Sequence, residues 1–171
     1  MIRVAIVTVS DSYYADGRSD ASGGAIRSWC ERRGDEIVSH DTVSDEAPDI
    51  ARLLVSLCDS GKVDLVLTTG GTGLAIRDVT PEATRTVIER EAPGIPEYIR
   101  ASSHLRMPRT ALSRGIAGTR GKTLIINLPG STTGVQDGLA TILPIIDHAI
   151  GILAGTITRH DTPPYGQGVL P

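Results

Sequence analysis

The sequence predicts an α/β fold, a three-layer α/β/α sandwich built on a mostly parallel open sheet. Three observations carry that expectation. Residues 63–69 and 122–128 are apolar without a break through their centres, which suits strands covered on both faces. Stretches whose apolar residues recur at helical spacing alternate with these and with other β-branched runs. Clusters of Gly, Ser, Asp and Pro punctuate the joints between them. At 171 residues the chain suits one ordinary domain, large enough to bury roughly 70% of the surface its unfolded form exposes.

Taken in order, residues 3–9 form a β-branched run that ends in Ser10-Asp11, and a polar segment leads to Asp20. Residues 24–33 take helical spacing through Ile26, Trp29 and Cys30, and Gly34 stops that helix. A short strand is expected over 36–39. Ser44-Asp45-Glu46 then leads into a helix with apolar positions Ile50, Leu53, Leu54 and Leu57, closed by Asp59-Ser60-Gly61. After the strand 63–69, Thr80 is placed to cap a helix with Pro81 in its first position; Val87 and Ile88 supply its apolar face, and Pro93-Gly94 breaks it. Residues 95–112 read as short helical pieces. Following the strand 122–128, Pro129-Gly130-Ser131 turns the chain into a long helix from about 133 to 153. Residues 1–155 are expected to be one domain, and 156–171, with Pro163, Pro164 and Pro171, a C-terminal tail without an obvious core.

Composition excludes several classes of function. A net charge of -3 argues against a general nucleic-acid surface, which needs a clustered basic excess, so any anionic ligand must be met locally. The richest apolar stretch, residues 142–152, is broken by Pro144, Asp147 and His148, so no membrane span is expected. Met1-Ile2-Arg3-Val4-Ala5 goes directly into a strand without a signal peptide's regions, and the chain is expected to be cytoplasmic. Cys30 and Cys58 lie in helical patterning with no Cys or His at ligand spacing, which reads as core packing. His40, His104, His148 and His160 are scattered and read as structural or solvent-facing.

In an open α/β sheet, ligands collect at the carboxyl ends of the strands. Loops 10–23, 42–46, 70–80 and 127–133 all fall there. The third is the most informative: a buried strand runs straight into Gly70-Gly71-Thr72-Gly73, and Arg77-Asp78-Val79-Thr80-Pro81-Glu82 opens a helix. Glycines let backbone N–H groups approach a phosphate with no Cβ in the way, and the arginine and carboxylate suit phosphate and its metal. Asp11, Asp20, Asp45 and Asp78 share the predicted edge. For Asp20 and Asp45, capping the next helix is the simpler role; Asp78, with Thr80 as the cap, is left to face the glycine loop. Acids gathered beside a phosphate cradle call for a cation, and magnesium, which takes one or two carboxylates together with substrate phosphates, is the natural one.

Other motifs fail on context. Gly115 and Gly121, in Gly115-Ile116-Ala117-Gly118-Thr119-Arg120-Gly121-Lys122-Thr123, stand five residues apart where a P-loop has four, and the apolar strand follows the motif instead of preceding it. Gly71-Thr72-Gly73 lacks the third glycine of a dinucleotide fingerprint. Gly130-Ser131-Thr132-Thr133-Gly134 misplaces its serine for a nucleophile elbow.

Through Gly70-Gly71-Thr72-Gly73 with Arg77-Asp78-Val79-Thr80-Pro81-Glu82-Ala83-Thr84, and again at Asn127-Leu128-Pro129-Gly130-Ser131, the chain resembles the molybdenum-cofactor biosynthesis family of Mog, MoaB and the gephyrin G domain. Val9-Ser10-Asp11, Asp20-Ala21-Ser22-Gly23 and Val43-Ser44-Asp45-Glu46 also match, so the resemblance covers residues 2 to about 155. It implies the molybdopterin-binding fold and a molybdopterin adenylyltransferase, which joins molybdopterin and ATP with magnesium and releases pyrophosphate. It further implies Asp45 and Asp78 as catalytic and magnesium-holding acids. Gly70, Gly71, Thr72 and Gly73, with Arg77 beside them, would form the phosphate and nucleotide cradle. Ser10, Asp11, Asp20, Ser22, Gly23, Asn127, Pro129, Gly130 and Ser131 would border the two substrates. A homotrimer and a downstream molybdate-inserting enzyme are the partners the resemblance implies, and a MoaB-type scaffold or carrier without catalysis is the alternative. Leu74-Ala75-Ile76 departs from members that carry another basic residue or a proline there.

Overall fold

The computed structural model describes residues 1–11, 20–104 and 107–157. Strand β1 (Arg3–Val9) is followed by helix α1 (Ala21–Arg33), β2 (Glu36–Val43), α2 (Ala47–Asp59), β3 (Leu65–Thr69) and α3 (Thr80–Val87). Next come β4 (Arg90–Glu91), α4 (Gly94–Ser103), a short 3-10 helix (Pro108–Leu112), the hairpin β5 (Ala117–Arg120) and β6 (Thr123–Leu128), and the long α5 (Thr132–Ala154). The sheet order is β2-β1-β3-β6-β5-β4. β2, β1, β3 and β6 are parallel, while β5 and β4 are antiparallel. This is the mostly parallel open sheet that the sequence predicts.

Side-chain alternation along the strands divides the interior in two. Val4, Ile6, Leu65, Leu67, Leu124 and Ile126 point to one face, where Ile26 and Trp29 of α1, Ile99 of α4 and Val135, Leu139, Ile142, Ile146 and Ile150 of α5 cover them. Ala5, Val7, Val9, Val66 and Ile125 point to the other, under Ile50 and Leu54 of α2 and Ala83 and Val87 of α3. A period of two in the strands therefore feeds two cores, which is why the centres of these strands, 65–67 and 124–126, are apolar at every position. Trp29, the only tryptophan, is 7% exposed, with the Arg33 guanidinium carbon 4.7 Å from its ring centre. Cys30 and Cys58 are buried and unpaired, as expected, and burial pushes both thiols up to about 11.

Several elements differ from the sequence reading. β2 runs on to Val43 because it pairs with β1 along its whole length, ending in Val9↔Val43; the ladder, not the local pattern, sets its extent. α1 starts at Ala21, ahead of its apolar spacing, because the Asp20 carboxylate accepts from the Gly23 N–H and caps it there. β4 and β5 carry too few apolar residues to announce themselves: Ala117–Arg120 is held by pairing to β6, so the segment resembling a P-loop is a strand, a turn and a strand. Thr80 does not cap α3. Val79 occupies that position without a side-chain bond, and Thr80 lies inside the helix, fully buried, its hydroxyl donating 2.9 Å to the Gly70 carbonyl.

At 23 residues with mean hydropathy 1.4 over its best window, α5 is long and apolar enough to cross a membrane by length and composition. Its stripe from Val135 to Ile150 packs in the core against the sheet, α1 and α4, while Leu143 and Ile152 on its other side are exposed. The expected tail falls beyond Ile157 almost entirely, and His160 with it; both lie outside the described residues.

Ile6 is fully buried on β1, an inner strand of the sheet. Replacing it with alanine should cost about 2–5 kcal/mol, read as a lower urea midpoint with an unchanged slope.

Candidate functional site

The chain leaves β1 for β2 on one side and returns to β3 on the other, so the loops after β1 and β3 part at a topological switch point, where open α/β sheets hold ligands. There the backbone is unusually close. Gly70 sits at φ +97°, and a Cβ on it would stand 2.2 Å from the Val9 carbonyl oxygen; only glycine fits. Gly71, at φ +61°, would bring a Cβ 2.3 Å from Thr80 Oγ1 and 3.2 Å from Asp45 Oδ1. On the other flank a Cβ on Gly130 would lie 3.2 Å from Gly70 Cα, and the Thr69 hydroxyl donates 2.7 Å to the Pro129 carbonyl. The turns after β1, β3 and β6 thus touch through backbone. Among the described residues no hydrogen bond uses the N–H groups of Gly71, Thr72 or Gly73.

Acids frame this loop. The Asp11 N–H donates 2.8 Å to Asp45 Oδ2 and the Asp45 N–H donates 3.0 Å to Asp11 Oδ1, a reciprocal clasp between the turns after β1 and β2. Asp45 is therefore not the cap of α2, as its simpler reading has it; Glu46 takes that position without a side-chain bond. From the glycine loop, Arg77 donates to Asp11 Oδ2 and Glu46 Oε1 at 2.9 and 3.1 Å, and closes the three turns into a ring. The Asp78 carboxylate accepts from the Ala75 N–H at 2.8 Å and stands 2.8 Å from where a Cβ on Gly73 would be. Burial pushes the Asp45 carboxyl up; the Asp11 N–H opposes this, and the negative charges of Asp11 and Asp78 add to it. The N–H of Asp45 and the Arg77 guanidinium hold Asp11 below the usual carboxylate range.

Asp20 is a second, mostly structural node. Besides Gly23 it accepts from Thr8, from Ser22 at 3.0 Å and faces His40 Nε2 at 3.0 Å, while Arg27 Nη2 lies 3.3 Å from His40 Nδ1. Ser22 is buried within this cluster. Asn127 is buried too: its amide donates to Thr68 and Thr84 and accepts from the Ile116 N–H, so it braces the floor and does not face outward. Ser131 caps α5 by accepting from the Gly134 N–H at 3.2 Å. The middle of loop 10–23, residues 12–19, lies outside the described residues.

Residues 5–148 match the family model described as a probable molybdopterin binding domain. The chain belongs to that molybdenum-cofactor biosynthesis family. It is 38% identical over 156 residues to a molybdopterin adenylyltransferase of Helicobacter pylori, covering 90% of this chain and 89% of the relative. It is 36% identical to the molybdenum cofactor biosynthesis protein B of Halalkalibacterium halodurans, over 87% and 88% of the two chains. Among solved structures, the molybdopterin biosynthesis enzyme MoaB of Thermus thermophilus superposes with a TM-score of 0.85 at 45% identity, covering 91% of this chain and 98% of that one. Every node of the site, from Ser10 to Ser131, falls within the span that defines the family.

Two residues at the loop escaped sequence reading. Glu46 sits in the Val43-Ser44-Asp45-Glu46 motif yet reads as a helix start; its tie to Arg77 spans 31 positions. Arg114 donates to the Gly73 and Asp78 carbonyls from a glycine-rich stretch with no local pattern to mark it.

For Asp20, burial alone would raise the carboxyl, but the bonds from Thr8, Gly23, His40 and Ser22 outweigh it and hold it below its ordinary value. A depressed carboxylate stabilises the fold above its unfolded pKa, about 3.9 for Asp, and that contribution goes as pH falls through the folded value. The melting temperature of Asp20→Asn should thus lie below wild type at pH 7, with the gap narrowing as both are taken below pH 4. A constant gap would assign the loss to packing.

Proposed function

We propose that this protein is a molybdopterin adenylyltransferase, transferring the adenylyl group of ATP to molybdopterin with release of pyrophosphate. One observation carries the reading: carboxylates from two different strand turns, Asp45 and Asp78, approach Gly71 and Gly73 of one loop whose N–H groups have no partner among the described residues. Relatives bearing the adenylyltransferase name, matched over nearly their whole length, support it.

In the reaction, the terminal phosphate of molybdopterin attacks the α-phosphorus of ATP in line, and the electron pair of the breaking P–O bond leaves with pyrophosphate. Phosphate is already a nucleophile, so no side-chain nucleophile is needed. The protein's part is positioning and charge neutralisation. The N–H groups of Gly71 to Gly73 donate to phosphate oxygens, and Arg77, on the exposed rim, can exchange its pairs with Asp11 and Glu46 for a phosphate. Pro129, Gly130 and Ser131 form the opposite wall.

The donor set fits magnesium. No group of three or more His, Cys, Asp or Glu suited to a metal exists among the described residues, so a closed protein cage is absent there. Two carboxylates beside a phosphate cradle are what an ion needs that keeps waters and shares substrate oxygens. Asp45 and Asp78 would hold it, and it would offset phosphate charge.

We also place the protein in the cytoplasm, in keeping with its two unpaired thiols, as a homotrimer that passes its product to a molybdate-inserting enzyme. The second reading is a MoaB-type molybdopterin scaffold or carrier without turnover.

Purified protein incubated with molybdopterin, ATP and magnesium should yield adenylylated molybdopterin and none when magnesium is omitted; binding of molybdopterin without product would establish the carrier. Asp78→Asn and Asp45→Asn should fold and bind molybdopterin but lose about 100-fold or more in turnover. Undiminished turnover in either would remove that residue from the site.

A further inference from the structure

We propose that Arg114 is a positioning residue for adenylyl transfer, an inference that rests on the reading of the site given above. Arg114 lies between the 3-10 helix and β5, remote in sequence from the glycine loop, yet it holds that loop at both ends. Its backbone N–H donates 2.8 Å to the Thr72 carbonyl and its Nε donates 2.6 Å to the Gly73 carbonyl. Nη2 donates to the Asp78 carbonyl, and Nη1 and Nη2 together engage the Glu82 carboxylate in the first turn of α3. One guanidinium thus fixes where the loop leaves its glycines, where it reaches Asp78, and how both sit against the helix that follows.

Two consequences follow from peptide geometry. A trans peptide points its C=O and its N–H in opposite directions. Drawing the Gly73 and Asp78 carbonyls toward Arg114 turns the next N–H groups, those of Leu74 and Val79, away from it, and keeps two carbonyl dipoles from turning toward a bound phosphate. The second concerns Asp78. Its carboxylate is tied to Ala75 within the loop and its carbonyl to Arg114 outside it, so Arg114 sets where that carboxylate rests relative to Gly73.

Arg114 is 35% exposed and most of its donors are committed to protein, which separates it from Arg77 on the rim. A lysine in its place offers one point charge and cannot span two carbonyls and a carboxylate. Partial desolvation pushes the Glu82 carboxyl up, but Arg114 outweighs it and holds the carboxylate below its usual range, and this pair orients the fork.

The test uses the full-length protein with molybdopterin, ATP and magnesium, measuring kcat and KM for ATP in wild type, Arg114→Lys, Arg114→Met, Glu82→Gln and the Arg114→Met/Glu82→Gln double variant, with far-UV circular dichroism on each. Displacing aligned groups by about 1 Å can cost about 100-fold, so Arg114→Met and Arg114→Lys should lose kcat on that scale while KM for ATP moves far less. Since the two residues act through one fork, the Glu82 change should add little to Arg114→Met. Wild-type kcat in a folded Arg114→Lys overturns the proposal, as does a loss that merely tracks the unfolded fraction or raises KM alone. Absence of product from wild type defeats the transferase reading itself, a result distinct from active wild type with equally active variants.

Discussion

The close crossing of bare backbone at the ends of β1 and β3 is the constraint on which the site depends. Gly70 passes within reach of the Val9 carbonyl, where no side chain fits, and Gly130 stands tightly against Gly70 from the far side. Because three strand ends are packed this tightly, the turns they launch are fixed relative to one another by the sheet itself. Asp11, Asp45 and Asp78 come from turns separated by tens of residues, and yet their spacing is governed by ladder hydrogen bonds a few ångströms below them. A rigid scaffold of this kind is what lets loops carry chemistry.

Charge is balanced locally on that scaffold. The protein as a whole is mildly acidic and offers no basic field to draw in a triphosphate. At the loop, each acid has an assigned counterpart: Asp11 and Glu46 face Arg77, Glu82 faces Arg114, and Asp20 is surrounded by hydroxyls, a backbone N–H and an imidazole. Asp45 and Asp78 are the exceptions, and Asp45 is raised by burial and by its acidic neighbours. Among the described residues the Asp45 carboxylate accepts from the Asp11 N–H and that of Asp78 from the Ala75 N–H, so these two acids flank the glycines without a cationic contact. Exposed pairs such as Arg77 with Glu46 contribute little to stability and exchange readily, while the buried braces Asn127 and Thr80 hold the floor.

Legibility in the sequence followed the range of the interactions. The apolar runs of β1, β3 and β6, the glycine loop and the stop at Gly34 are set by neighbours along the chain, and they read correctly. β4 and β5 are set by pairing with a strand already in place, and their own residues carry almost no pattern. Thr80 shows how a local rule gives way: a hydroxyl beside Pro81 has the form of a cap, but a carbonyl from Gly70 ten residues earlier claims it and the helix begins around it. Asp45 repeats the lesson, since its partner is Asp11, 34 positions away. Arg114 gave no signal because its four partners, Thr72, Gly73, Asp78 and Glu82, lie in a segment that only the fold brings to it.

The lone Trp29 lies on the sheet face covered by α1 and α5, whereas α2 and α3 cover the other. Its indole is shielded within the core and stacked against Arg33, on the far side of a six-stranded wall from the helix that follows the glycine loop. Tryptophan fluorescence therefore reports loss of the packed interior on that one face of the sheet.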